Sequence, residues 1–202
     1  MRKLDFTKAK YSLAAHYPNQ WPEAIGAEVA FAGRSNVGKS SAINAITNQN
    51  RLAKTSKTPG RTQQIVFFDL ESDMRLVDLP GYGYAKAPQE LREHWRGFIT
   101  DYLSNRRCLK GLVIPMDIRR PLTELDMTML EFCWQINLPV HVLLTKADKF
   151  KRGKSKGILH GVKKELVDAP MTSVQLFSSL KKEGVEEARN QLQALYFSDS
   201  PE

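Results

Sequence analysis

Residues 33–40 read Gly33-Arg34-Ser35-Asn36-Val37-Gly38-Lys39-Ser40. This octapeptide satisfies G-x-x-x-x-G-K-[ST], a loop whose backbone N–H groups converge on phosphate oxygens. Lys39 is placed to reach the β- and γ-phosphates of a nucleotide, and the Ser40 hydroxyl to ligate Mg²⁺. The flanks agree with that reading. Glu28–Ala32 (EVAFA) is a short apolar run suited to a buried strand, and Ser41–Thr47 (SAINAIT) reads as a helix. Strand, glycine loop and helix in this order point a helix N-terminus at an anion.

Two further motifs follow in order. Asp78-Leu79-Pro80-Gly81 gives D-x-x-G directly after the apolar run Met74–Val77 (MRLV). Alone, that pattern is usually a turn. After a phosphate loop, the aspartate can hold Mg²⁺ through water, and the Gly81 N–H can bond the γ-phosphate and report its presence. Thr145-Lys146-Ala147-Asp148 closes a third apolar run, Pro139–Leu144, and fits [NT]-K-x-D. A carboxylate at Asp148 can accept from both the ring N1–H and the exocyclic amine of guanine, a pair of donors that adenine lacks. The aliphatic stem of Lys146 can lie along the base plane. A helix cap beside a lysine would explain this last motif in isolation. The order of all three favours a guanine nucleotide.

The motifs resemble those of the translation-factor-like GTPases, the Era, EngA and TrmE relatives. Within them the chain is similar to the EngB/YihA/YsxC family of bacterial ribosome-assembly GTPases. The narrower likeness rests on GRSNVGKSS at 33–41, KTPGRTQ at 57–63, DLPGYGYA at 78–85, DIRRPLTELD at 117–126 and TKADK at 145–149. It implies an α/β P-loop GTPase with a six-stranded, mostly parallel sheet, one antiparallel strand and helices on both faces. It implies one G domain over residues 1–202 with short N- and C-terminal extensions. The nucleotide would be held by residues 33–41, including Ser41, by Gly60, Arg61, Thr62, Gln63 and Gln64, by Asp78, Leu79, Pro80 and Gly81, and by Thr145, Lys146, Ala147 and Asp148. Ser178, Ser179 and Leu180, after the strand-like run 173–177, would form the loop against the base. Mg²⁺ would be bound by Ser40, Asp78 and Thr62. For Thr62 a strand-initiating threonine is the alternative. Hydrolysis would involve Lys39, Thr62, Gly81 and Asn36.

The catalytic machinery is informative by what it lacks. Many GTPases place a glutamine just after D-x-x-G to orient the attacking water, and here that position is Tyr82. A phenol cannot make the same pair of contacts, so slow intrinsic hydrolysis is expected. Related GTPases with asparagine at the position of Asn36 use it to hold K⁺. A loop residue tolerant of unusual backbone angles is the other reading of Asn36. The segments 48–61 and 81–88 flank the phosphate site, and the resemblance makes them the two switches, ordered by the γ-phosphate.

Composition sets the remaining bounds. The 202 residues are 42% hydrophobic and 26% charged, ordinary usage for one globular domain. No apolar run approaches the ~18 residues of a membrane span. The start, MRKLDFTKAKYS, has no apolar stretch of a signal peptide, and Asp5 argues against an import sequence. Cys108 and Cys133 lack metal spacing and read as free core thiols of a cytoplasmic protein. His16, His94, His141 and His160 are scattered and read as surface or satisfied core residues.

Strands are expected near 28–33, 64–70, 74–78, 110–116, 139–145 and 172–177, the second and third pairing as a hairpin. Helices are expected near 39–47, 88–105, 122–136, 155–167 and 184–196, with Pro88 in a first turn. Alternation of this kind predicts a sheet covered on both faces, with ligands at the carboxyl ends of its strands.

The formal net charge is +8. Its excess falls at Lys54, Lys57 and Arg61, at Arg106, Arg107 and Lys110, at Arg119 and Arg120, and at Lys149, Lys151, Arg152, Lys154 and Lys156 in what reads as one loop. Basic groups gathered around a nucleotide face suit phosphate backbones, and structured RNA suits a chain with no sequence-reading module. The resemblance implies ribosomal RNA and large (50S) subunit precursors as partners, no membrane, a monomer, and a role on which normal cell division and septation depend. The alternative is a GTP-regulated protein acting directly on the division or envelope machinery. An adenine-nucleotide kinase is disfavoured by Asp148.

Overall fold

The computed structural model describes residues 3–54, 64–71, 73–82 and 89–198, with the backbone alone for 89–96. Among the described residues, seven strands form one sheet: β1 (Lys10–Ala15), β2 (Ala27–Phe31), β3 (Ile65–Asp69), β4 (Met74–Asp78), β5 (Leu109–Asp117), β6 (Val140–Thr145) and β7 (Thr172–Leu176). Five α-helices accompany them among the same residues: α1 (Lys39–Thr47), α2 (Gln89–Asn105), α3 (Glu124–Gln135), α4 (Arg152–Glu165) and α5 (Val185–Tyr196). The strand order is β1-β3-β4-β2-β5-β6-β7. Only β3 runs against its neighbours, pairing antiparallel with both β1 and β4. The expected hairpin is present, with Val66 opposite Asp78 and Leu70 N–H bonded to the Met74 carbonyl at 2.8 Å.

The expected six strands are corrected to seven. The additional one, β1, lies at the sheet edge and contains a register shift between Tyr11 and Leu13. Its sequence, KYSLAA, alternates poorly, because an edge strand buries little of either face. The helix expected from 155 begins at Arg152 and ends at Glu165. Arg152, Lys154 and Lys156 therefore stand on its first turns and not in a loop. Pro88 lies outside the described residues.

Alternation along the buried strands sorts side chains between two layers. Ala30, Val77, Leu112, Ile114, Val142 and Leu144 face one core with Phe98, Tyr102, Leu130 and Val162 from α2, α3 and α4. Val29, Phe31, Leu76, Val113 and Leu143 face the other with Ile43, Ile46, Ala188 and Leu192 from α1 and α5. Both faces are thus covered, and the chain's chemistry is left to the strand ends. Cys108 and Cys133 are free and buried.

Buried polar clusters centred on Glu28 and His141 lie within this frame. Glu28, at the amino-terminal end of β2, is fully buried and accepts from Arg106 at 2.6 and 2.9 Å, from the Tyr102 phenol at 2.7 Å and from Arg75 at 3.3 Å. Arg106 is thereby an internal counter-ion, which removes it from the expected basic surface. His141 on β6 lies between Ser173 (2.7 Å) and Gln175 (2.9 Å) of β7. Gln175 donates its amide to the Gly184 carbonyl at 2.7 Å, so its oxygen faces the ring. Nε2 of His141 then carries the proton and Nδ1 accepts from the serine. Burial lowers the His141 pKa from 6.5 to about 4. A depressed folded-state pKa means stability present above pH 6.5 and lost as pH falls through about 4. Between those limits the wild type is expected to lose about 3 kcal/mol more than a His141→Gln variant, by urea unfolding at each pH. Parallel pH profiles for the two proteins would show that the ring is not held neutral.

Helix α4 carries Gly153, Gly157 and Gly161, and a Cβ at any of them would meet no atom within 4 Å. Each interior glycine costs a helix about 0.8–1 kcal/mol relative to alanine. Gly157→Ala is expected to stabilise the protein by about 0.5–1 kcal/mol, read as a midpoint shift of about 1–4 °C. No gain would mean that this face is covered in the protein studied.

No described helix is long and apolar enough to cross a membrane.

Candidate nucleotide site

The carboxyl ends of the parallel strands meet on one side of the sheet, and the three motifs arrive there together. A cavity of about 300 Å³ is lined by Arg34, Ser35, Asn36, Gly38, Lys39, Ser40 and Ser41 of the loop after β2. Asp78, Leu79, Pro80 and Gly81 after β4 form its second wall, and Lys146 after β6 lies at its rim. Because β3 is antiparallel, its first end faces the same cavity and brings Gln64 into the lining. Lys54 joins it, a residue that the sequence marked only as part of a basic cluster. Gly60, Arg61, Thr62 and Gln63 lie outside the described residues, as do Lys57 and the segment 83–88.

The loop has the conformation its sequence demands. Gly38 caps α1 with φ 99°, a left-handed angle that a side chain would strain. Asn36 adopts φ 64°. Val37 is buried, and its carbonyl accepts from the Thr145 hydroxyl at 2.5 Å. That hydroxyl also lies 3.0 Å from the Met116 carbonyl, so Thr145 ties β6 to both β5 and the loop. The buried Ser35 hydroxyl has no partner among the described residues, an orphaned donor on the cavity wall. Lys39 and Asp78 form an ion pair across the cavity. Each is 13% exposed in its side chain, so neither charge is diluted by bulk water.

The side expected to meet the base is built from β5, β6 and the loop after β7. Lys146 has φ 58°, and its ammonium donates to the Asn36 carbonyl at 2.7 Å and to Asp117 at 2.9 Å. Asp117 also accepts from the Arg119 side chain at 2.6 and 2.9 Å. The Arg119 guanidinium, with Lys146 beside it, holds the Asp117 carboxyl far below the usual carboxylate range. Arg119 is therefore partly engaged with the site. Asp148 accepts from the Ser178 hydroxyl at 2.5 Å, and Ser178 and Glu183 pinch the following loop by paired backbone bonds of 3.0 and 3.1 Å. Ser179 and Leu180 form that loop, and Leu180 is 74% exposed. Ala147 is buried and donates its N–H to Phe177 at 3.1 Å.

A profile described as 50S ribosome-binding GTPase matches residues 28–146, more than half of the chain. The probable GTP-binding protein EngB of Stenotrophomonas maltophilia (strain K279a) is 56% identical over 184 residues, 90% of this chain and 92% of that relative. The chain belongs to the EngB family of GTP-binding proteins. The EngB of Xanthomonas oryzae pv. oryzae (strain PXO99A) is 53% identical over 184 residues, 90% of this chain and 89% of that relative. A crystal structure of a probable GTP-binding protein engB shares the fold, with a TM-score of 0.67 at 22% identity over 84% of this chain and 98% of that one. Membership in the EngB family makes the protein a GTPase.

The resemblance made Arg34 a nucleotide-holding residue and gave Asp117 and Asp126 no role, and the structure gives all three side chains of this EngB site partners across the fold. Asp117 holds Lys146. Asp126 reaches both nucleotide loops. Arg34 lines the cavity but turns its guanidinium to Asp126 and to the Arg120 carbonyl. The one local signal was the T-x-x-D at Thr123 and Asp126, a capping pattern that says nothing of partners across the fold.

Proposed function

We propose that the chain is a slow, Mg²⁺-dependent GTPase switch that docks on the large ribosomal subunit during its assembly, and that normal division and septation depend on that supply. The chain acts as a single G domain with short terminal extensions, as a cytoplasmic monomer. One observation carries the partner assignment. Lys149, Lys151, Arg152, Lys154 and Lys156 are exposed in the turn and first helical turns immediately after the base-reading Asp148. A nucleotide bound at Asp148 thus has a cationic surface beside it, suited to an RNA backbone. The family description, 50S ribosome-binding GTPase, supports the same partner.

The cavity suits Mg-nucleotide. Ser40 and Asp78 supply the oxygen donors that a hard cation takes, with Thr62 as the third expected ligand. When bound, Mg²⁺ neutralises charge on the phosphates. Lys39 exchanges its pairing with Asp78 for the phosphates, and the orphaned Ser35 hydroxyl gains an acceptor. Gly81 donates its N–H to the γ-phosphate, Asp148 reads the guanine edge, and Lys146 lies against the base with Ser178, Ser179 and Leu180 opposite. Asn36 would supply an oxygen to K⁺, and the ion would add positive charge at the phosphates. Tyr82 gives the attacking water no glutamine-like partner, which keeps turnover slow.

The test is charge reversal of Lys151, Arg152 and Lys156 to Glu. Lys154 is spared because its ammonium lies 4.0 Å from the Phe150 ring centroid. Acidic residues at a helix N-terminus favour the helix, so α4 should survive. Co-sedimentation with 50S precursors is expected to weaken, with GTP affinity retained. The slope of log affinity against log salt should fall by about 0.7–0.9 for each lost phosphate contact. Unaltered binding and slope would turn the assignment toward a division or envelope partner.

A further inference from the structure

We propose that Asp126 is a positioning residue for γ-phosphate recognition, its one carboxylate fixing Tyr82 and Arg34 on either side of Gly81. The proposal rests on the reading of Gly81 as the γ-phosphate donor.

Asp126 is fully buried at the third position of α3. Its Oδ2 accepts from the Thr123 N–H at 3.1 Å and the Thr123 hydroxyl at 2.7 Å. That closes the helix cap, which needs nothing more. Its Oδ1 does something else. It accepts from the Tyr82 phenol at 3.1 Å and from Arg34 Nε at 3.2 Å. Tyr82 directly follows the D-x-x-G segment, and Arg34 is the second residue of the phosphate loop. One carboxylate therefore joins both nucleotide loops to the start of α3.

The backbone shows what this holds in place. Tyr82 N–H donates to the Gly33 carbonyl at 3.2 Å, and Arg34 and Tyr82 form an isolated parallel bridge. A Cβ on Gly81 would lie 3.3 Å from the Gly33 oxygen, so the two loops run in close approach. Gly81 is then bounded by the end of β4 at Asp78 and by the anchored Tyr82. The ring of Tyr82 packs against the core beneath α3. Burial, followed by the Asp126 charge, pushes the phenol far above its usual range, so it remains a donor. Negative charge on Asp126 is matched by Arg34 and by the α3 N-terminus. Releasing the phenol frees the Gly81 N–H from one of its two fixed ends. That penalises a ligand with a γ-phosphate and leaves one without it unaffected.

The experiment compares dissociation constants for GDP and a non-hydrolysable GTP analogue in wild type, Tyr82→Phe, Asp126→Asn and Gly81→Ala, with thermal unfolding of each. Tyr82→Phe keeps the ring and removes only the phenol bond. It is expected to lower the GTP-analogue to GDP affinity ratio roughly three- to tenfold, with its unfolding midpoint close to wild type. Asp126→Asn is expected to lower the ratio at least as far. If it fails to fold, Tyr82→Phe decides alone. An unchanged ratio in Tyr82→Phe, or an equal loss of both nucleotides, overturns the role of Asp126. An unchanged ratio in Gly81→Ala counts against the Gly81 reading only.

Discussion

Asp148→Asn is expected to weaken GTP binding by about 2–4 kcal/mol, roughly thirty- to a thousandfold, and to shift preference to xanthosine triphosphate. Asp148 sits in the short helical turn after β6, with one oxygen 2.5 Å from the Ser178 hydroxyl. That bond orients the carboxylate without consuming it, since a carboxylate has about four acceptor positions. Two acceptors facing guanine match its N1–H and exocyclic amine. An amide replaces one acceptor with a donor, which meets the guanine amine badly and the 2-oxo group of xanthine well. Asp148 is only partly buried, so the loss should appear in affinity and not in folding. Titration of both triphosphates against wild type and variant makes the check. GTP affinity that survives the substitution would refute the assignment of Asp148 to the base.

Arg106→Ala is expected to cost about 3–5 kcal/mol of folding stability while leaving the nucleotide loops intact. Glu28 is fully buried, and Arg106 makes its two shortest charged contacts, at 2.6 and 2.9 Å. Removing the guanidinium leaves a carboxylate in the sheet with Arg75, at 3.3 Å, and the Tyr102 phenol as its partners. Neither replaces a bidentate pair. For a domain of about 200 residues the loss corresponds to a midpoint fall of roughly 6–20 °C. Adding Glu28→Gln should recover part of it, because the stranded charge disappears. Denaturant unfolding of the single and double variants measures both effects. A loss below about 1 kcal/mol in the single variant would mean that water reaches Glu28. This network lies at the amino-terminal end of β2, opposite the phosphate loop, so it is a stability feature separate from the site.

The parallel core of the sheet was legible because its strands are continuous apolar runs between turn signals. Phe31, Ile114 and Leu144 lie on such runs and are fully buried. Helix α3, expected over 122–136, was legible to within two residues, for it spans Glu124–Gln135. Strand β1 was not. Tyr11 is 61% exposed and Ala15 is fully buried, so the segment carries no consistent face. Its pairing with β3 comes from position in the sheet, not from pattern. The basic residues show the same limit. Arg106, Arg119 and Arg152 look alike in sequence, yet one is a buried counter-ion, one a clamp on Asp117 and one an exposed helix residue.

By itself, the sequence determined the chemistry of the loops. The residues expected to surround a phosphate or to read a base are local, ordered strings, because each loop must supply its donors from consecutive positions. G-x-x-x-x-G-K-S, D-x-x-G and T-K-x-D could therefore be read before any fold was known. Only the tertiary structure decided how those loops are held. Asp117 and Lys146 are brought together by adjacent parallel strands. Asp126, Tyr82 and Arg34 come from three segments that converge only when α3 packs beside the ends of β2 and β4. Contacts between distant segments follow from strand order, and strand order is settled by burying all the apolar faces at once.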